Sequence, residues 1–284
     1  GSVTVTAVSD AIDDNNETVI VDITGVTNAT ESGTQQQTTT ITDDDPPPAV
    51  TLSVNNSSIG ETGGVAILTA TLSAASSLPV TVDLGYSGTA ANGPDYAPSG
   101  TQITIPAGSL TGTATVSAAS DTIDESNETV IVDITSVGNG TESGTQQVTV
   151  TITDDDAPPT VTLSVNTSAI AEASGVATFT ATLSTVSGQT VTVDLGFSGT
   201  AANGSDYTPS GTQITIPAGS LTGTATVTAV SDSSDESDET VIVDITGVTN
   251  GVESGTQQQT VTIPDDDGGP SVTLSVNNSS ISET

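Results

Sequence analysis

The chain contains no lysine, arginine, histidine, cysteine, methionine or tryptophan. Each absence removes a class of chemistry. Without a side-chain cation nothing can neutralise phosphates, so nucleic acid and anionic membrane surfaces are excluded as direct partners. Ser-His-Asp and Cys-His nucleophiles, lysine Schiff bases, Lys–Asn isopeptide cross-links and His or Cys zinc sites are excluded too. Any catalysis would fall to carboxylates, tyrosine and a hard metal. No disulfide can staple the fold. No apolar run approaches the roughly 18–20 residues of a membrane span, and no charged-then-apolar leader is present. The segment therefore reads as a mature part of an exported protein, with no membrane element of its own.

What is present is acid. There are 35 Asp and Glu in 284 residues, for a net charge of -35. Ordinary domains carry about 25% charged residues of both signs, whereas the 12% here are all negative. Low charge and only three Tyr and two Phe could suggest disorder, but apolar residues alternate with Thr and Ser over long stretches. Val50, Leu52 and Val54 oppose Thr51 and Ser53; Val80, Val82 and Leu84 oppose Thr81 and Asp83; Val130, Val132 and Ile134 oppose Ile131 and Asp133. Period two predicts half-buried antiparallel strands. Turn clusters such as Asn92-Gly93-Pro94 and Pro106-Ala107-Gly108 separate them. The expected fold is all-β, with negligible helix.

The chain repeats itself. Val50 to Val54 recurs at Val161 to Val165 and at Val272 to Val276, an offset of 111 each time, and PSGTQITIPAGSLTGTATV from Pro98 to Val116 returns letter for letter at Pro209 to Val227. About seven strands per period predicts a tandem array of Ig-like β-sandwiches. The expected division is the C-terminal half of a repeat over 1–49, complete repeats over 50–160 and 161–271, and the first strand of another over 272–284. Pro-rich joints at Pro46-Pro47-Pro48 and Pro158-Pro159 predict semi-rigid spacers. Gly268-Gly269-Pro270 predicts a looser one.

In the repeat from 50 to 160 most carboxylates fall at strand ends: Glu61, Asp95, Asp121, Asp124, Glu125, Glu128, Asp154, Asp155 and Asp156. The next repeat has Glu172, Asp206, Asp232, Asp235, Glu236, Glu239, Asp265, Asp266 and Asp267, with an extra Asp238 in place of Asn127. The partial repeats add Asp10, Asp13, Asp14, Glu17, Asp43, Asp44, Asp45 and Glu283. Converging carboxylates without one basic residue repel each other, and a hard cation resolves that: Ca2+ takes 6–8 oxygen ligands, whereas Mg2+ takes fewer and dehydrates reluctantly.

Glu61 after the first strand, the hairpin DYAPSGTQITIPAG from Asp95 to Gly108, the run DTIDESNETVIVDI from Asp121 to Ile134 and the closing ITDDD from Ile152 to Asp156 together resemble the Calx-β family. The resemblance covers both full repeats and both partial ones. It implies a sandwich whose acids cluster at one end and bind several Ca2+ ions, with the acids named above as ligands. Val130 stands where many members carry Phe, which thins the core without touching the site.

Asp83, Asp133, Asp194 and Asp244 sit on outward strand positions and read as surface charge, and Glu142 and Glu253 as solvated loop acids. Outward Thr149, Thr151 and Thr153 are ordinary exposed strand residues. Sequons such as Asn56 and Asn127 are consistent with N-glycosylation in a suitable host. The five aromatics read as core filling. No enzyme is expected. The leading expectation is a structural component of an extracellular, prokaryotic fibre or stalk, stiffened by Ca2+, with neighbouring repeats or further copies as partners. The alternative is a Ca2+-dependent adhesin segment binding glycans or a surface partner. A Ca2+ sensor attached to a transporter and a metal-dependent hydrolase are weaker readings.

Overall fold

The computed structural model describes residues 1–280, 282 and 283, and no helix occurs among them. The chain forms two compact units, residues 1–121 with 127–155 and residues 122–126 with 156–284. Each has its own apolar core, one built between Val50 and Ile152 and the other between Val161 and Ile263. The chain is the tandem all-β sandwich that its alternation and period predict.

In the first unit, residues 1–49 contribute the hairpin of β1 (Glu17–Asp22) and β2 (Gln36–Ile41). The sandwich that follows has one sheet in the order β4 (Ser58–Gly60), β12 (Gln147–Thr153), β10 (Glu128–Gly138), β6 (Val80–Gly88), β8 (Gln102–Ile105). The other runs β11 (Thr141–Glu142), β3 (Ala49–Val54), β5 (Val65–Leu72), β9 (Thr111–Ala118), β7 (Tyr96–Pro98). Alternation is literal in β5: Ala66, Leu68, Ala70 and Leu72 are buried while Val65 and Ile67 face out. Small Ala66, Ala70 and Ala114 alternate with Leu68, Ile103 and Ile105, so a core almost free of aromatic rings still fills.

The second unit repeats this plan. Its sheets are β16 (Tyr207–Pro209), β18 (Thr222–Ala229), β14 (Val176–Leu183), β13 (Thr160–Val165), β20 (Val252–Glu253), and β17 (Gln213–Ile216), β15 (Val191–Gly199), β19 (Glu239–Thr249), β21 (Gln258–Ile263). Phe179 occupies the position of Leu68 and is 1% exposed. The counterpart of β4 shrinks to a single bridge between Ala169 and Thr262.

Not every pairing is antiparallel. β4 runs parallel to β12, and β11 parallel to β3. The cause is a strand that changes sheets: the chain leaves β3 at Val54 and enters the opposite sheet as β4, so it lies alongside the last strand in the same direction. These short segments also raise the strand count above seven.

The end segments show what a strand needs. Val272 and Leu274, in a stretch identical in letters to Val50 to Val54, are 95% and 100% exposed, and residues 271–280 form no strand. β3 pairs with β5, and among the described residues no strand pairs with residues 272–276. Likewise Ile20 in β1 is 57% exposed, because no second sheet covers that hairpin.

One glycine is dictated by close approach. Gly199 has φ +118° where β15 meets β19, and a Cβ there would lie 2.1 Å from the Thr240 carbonyl oxygen. Gly88 repeats the geometry against Thr129. Gly199→Ala is expected to destabilise the second unit by at least about 1–3 kcal/mol from backbone strain, read as a lower urea midpoint with unchanged slope.

Candidate metal centre

The fold brings distant acids to one end of the second unit. β19 and β21 are antiparallel with Glu239 opposite Ile263, so the start of one strand lies at the finish of the other. Glu239 therefore lies at the same end as Asp265, two residues beyond Ile263. The β18–β19 loop supplies Asp232 and Glu236 at the same end, and the turn before β16 supplies Asp206. Glu172 comes from the segment between β13 and β14.

Two triads form. Glu172, Asp232 and Asp267 each offer a carboxylate oxygen, all within 4.8 Å of one another, and Asp206, Glu236 and Glu239 do the same. Glu172 and Asp232 of the first triad and all three acids of the second border one small cavity of about 10 Å³, lined also by Val230, Ser237, Ile263 and Asp265. That is space for one water-sized sphere.

Main-chain donors fix the carboxylates. Glu172, 9% exposed, accepts the Asp232 amide at 3.4 Å through Oε1 and the Asp266 amide at 3.3 Å through Oε2. Asp206 Oδ2 accepts the Ala202 amide at 2.6 Å, which holds its pKa below the ordinary value with further help from Ser205 and Glu239. Asp267 Oδ2 is buried and accepts no hydrogen bond, and Asp156 Oδ2 shares that state. A buried carboxylate oxygen without a donor is costly. It is what a cation ligand looks like before the cation, and an all-oxygen donor set suits a hard ion.

The crowding raises pKa values. Desolvation, then Asp232, Asp206, Glu172 and Asp265, push Glu236 up. Glu239 rises through desolvation and then its hydrogen bond to Asp206. Desolvation followed by the charge of Glu172 raises Asp267. A carboxylic acid with a folded-state pKa above its unfolded value of about 3.9–4.3 adds stability below that unfolded value and loses it as pH rises through the folded one. Metal-free protein is therefore expected to show a urea midpoint that falls as pH rises from about 4 through the raised folded-state values, and saturating Ca2+ to remove that fall.

In the first unit Glu61, 8% exposed, accepts the Asp121 amide at 2.7 Å. Their carboxylates lie within 4.8 Å, as do those of Asp95 and Glu128. Asp95 accepts the Ala91 amide at 2.5 Å, and Asp155 accepts the Thr62 hydroxyl at 3.3 Å. Asp124 and Glu125 belong to the second compact unit, and Asp124 turns to Ser187. Asp235 and Glu283 are exposed and join no triad. In residues 1–49, Asp10, Asp14, Glu17, Asp43, Asp44 and Asp45 line an open cleft of about 250 Å³.

One recurring position escaped sequence reasoning. Asn16, Asn127 and Asp238 each accept, through Oδ1, the amide of the first Asp in the closing run, at 2.8, 3.1 and 3.3 Å. Asp238 is thus an Asn equivalent holding the run in place. The available signal was that the 111-residue period permits only Asn or Asp there.

The supposed surface acids are also engaged. Asp83, Asp133, Asp194 and Asp244 each accept a hydrogen bond from a neighbouring-strand glutamine, Gln102, Gln147, Gln213 and Gln258. Glu142 and Glu253 accept the amides of Gln146 and Gln257 at 2.6 Å.

The Calx-beta domain profile matches residues 43–156 and 154–267. Among solved structures, CBD12 from CALX1.2 is 14% identical, with 76% of this chain and 100% of that chain covered and a TM-score of 0.36. The calcium binding domain CBD12 of CALX1.1 is 15% identical over 68% and 79%, TM-score 0.34. The apo-form Calx CBD1 domain is 19% identical over 38% and 99%, TM-score 0.34. No curated protein matches. No helix among the described residues is long and apolar enough to cross a membrane. Membership rests on the profile match and the site's residues: the chain belongs to the Calx-β family of Ca2+-binding β-sandwich domains.

Proposed function

We propose that this chain is a non-catalytic, structural segment of an extracellular fibre or stalk on a prokaryotic cell, in which Ca2+ stiffens a tandem array of Calx-β repeats. The observation that carries the Ca2+ reading is the buried, donor-less Asp267 Oδ2 beside Glu172 and Asp232. With Asp206, Glu236 and Glu239 adjoining, the second complete repeat offers two candidate cation positions. Glu61, Asp95, Asp121, Glu125, Glu128 and Asp154 to Asp156 are the corresponding ligands 111 residues earlier. Bound Ca2+ supplies the positive charge that the chain itself lacks. Glu172 and Asp206, fixed by main-chain donors, and Asp267, whose Oδ2 accepts no hydrogen bond, would hold the ion.

The mechanical reading rests on near-identical repetition. Residues 98–116 and 209–227 are identical, which suits a spacer rather than a recognition module. The absence of lysine and arginine leaves no cleavage site for trypsin-like proteases, as suits an exposed fibre. Adhesion is less favoured. Tyr96, Tyr207 and Phe179 are buried at 3%, 3% and 1% exposure, and Tyr86 and Phe197 pack against the cores, leaving no aromatic platform for a glycan. Antibody labelling of intact producing cells tests the role: thread-like surface label lost on Ca2+ chelation is expected, and label only after permeabilisation would overturn it.

A further inference from the structure

One acid of the β9–β10 loop turns away from the others. Asp124 is 7% exposed, and its Oδ2 accepts the Ser187 hydroxyl at 3.1 Å. Its main-chain carbonyl accepts the Gly188 amide at 3.0 Å and the same hydroxyl at 3.1 Å. The Gln189 side-chain amide reaches Oδ2 at 3.5 Å, and the Gln189 main-chain amide donates to Ser187 Oγ at 3.0 Å. Ser187 is 1% exposed. The other unit contains the same arrangement. Asp13 Oδ2 accepts the Ser76 hydroxyl at 2.9 Å, and its carbonyl accepts the Ser77 amide at 3.0 Å and the Ser76 hydroxyl at 3.1 Å. Ser76 is also 1% exposed and accepts the Leu78 amide at 3.1 Å. Both acids lie in the acidic loop of one sequence repeat. Both serines lie 63 residues on, in the segment before the β6 or β15 strand of the next repeat.

A buried carboxylate in a chain without side-chain cations can be satisfied only by neutral donors or a metal. These two have neutral donors. The adjoining position varies in a matched way. A Cβ on Gly188 would lie 2.6 Å from Glu125 Oε1 and 2.7 Å from its Cγ, so the longer acid occupies the space a side chain would need. In the other copy the corresponding residues are Ser77 and the shorter Asp14.

We propose that Asp13 with Ser76, and Asp124 with Ser187, form a latch by which the acidic loop of one repeat docks on the following copy of the repeat, and that the pairs Asp14–Ser77 and Glu125–Gly188 set which loop fits which copy. The hydrogen bonds of the latch form with or without Ca2+, and they tie down the acidic loop alone rather than the sandwich that carries it. Asp235-Glu236 carries the Asp–Glu form, so its fitting partner is a repeat with Ser–Gly at the acceptor positions rather than Ser–Ser.

Amide hydrogen exchange on the full chain, with Ca2+ and metal-free, tests this. The Gly188 and Ser77 amides are expected to be protected in both states. Ser187→Ala should lower protection at residue 188 at least tenfold while sparing Gly219, whose amide bonds the Ser187 carbonyl at 2.8 Å within the same unit. Gly188→Ser should do the same, and adding Glu125→Asp should restore protection in the metal-free state, where any effect of Glu125 on Ca2+ is absent. Wild-type Gly188 exchanging as an exposed amide, protection that vanishes with Ca2+ alone, or equal exchange in the single and double variants would overturn the latch. If Gly188→Ser does not fold, Ser187→Ala decides: unchanged protection at residue 188 rejects the proposal.

Discussion

Removing Ca2+ will lower the unfolding temperature of each complete repeat by on the order of 20 °C or more, and restoring it will reverse the loss. Ligand linkage sets the scale. A site occupied at about 1,000 times its dissociation constant adds about 4 kcal/mol, and two such sites in one repeat add about 8 kcal/mol. Domains of this size are stable by only about 5–15 kcal/mol in total, and each kcal/mol moves the midpoint by about 4–8 °C. The core has little reserve, because it is built mostly from Val, Ile, Leu and Ala, with Tyr96 the one fully buried aromatic in the first unit and Phe179 and Tyr207 those in the second. Differential scanning calorimetry in EDTA and in excess Ca2+ reads the effect directly. Coincident transitions would mean that the triads hold nothing.

Glu172→Ala will have the second largest effect. Glu172 is nearly buried, belongs to one triad, and organises the Asp232 and Asp266 amides. Its loss removes a ligand and the main-chain support of Asp232 and of the closing acidic run. Supporting residues alone alter metal affinity by about 10–100-fold, so a loss on the order of 100-fold or more in the second repeat is expected by titration calorimetry. Asp244→Ala is the control: it loses one exposed hydrogen bond with Gln258 and should change stability by no more than about 0.5 kcal/mol, with Ca2+ binding intact. Glu128→Ala and Asp154→Ala should likewise exceed Asp133→Ala in the first repeat. Similar calorimetric traces for Glu172→Ala and Asp244→Ala would reject the ligand assignment.

The fold was legible because burial here is written in period two. Val80, Val82 and Leu84, and Val130, Val132 and Ile134, are all buried as their spacing requires. What alternation does not encode is pairing partner. Thus the parallel β4–β12 pair could not be read from Ser58 to Gly60, nor could the strandless state of residues 272–276, whose letters are those of β3. The same limit applies at the acidic end. The acids of the Asp232 to Glu239 loop all carry the same charge, so the sequence alone does not distinguish Glu236 and Glu239, which converge, from Asp235, which does not, or from Asp238, which holds the Asp265 amide. Asp124 differs from Asp121 only by the direction its side chain takes, and Ser187 supplies that direction from 63 residues away.

Small-angle X-ray scattering on the chain, first in EDTA and then in excess Ca2+, tests the central claim most directly. Four residues separate Asp156 from Val161, so ligands and linker share one short stretch, and Pro158-Pro159 leaves that stretch few conformations. The account predicts a broad, conformationally averaged profile without metal and a sharper one with a larger, better-defined maximum dimension once Ca2+ is added. Superimposable profiles in the two states would contradict it.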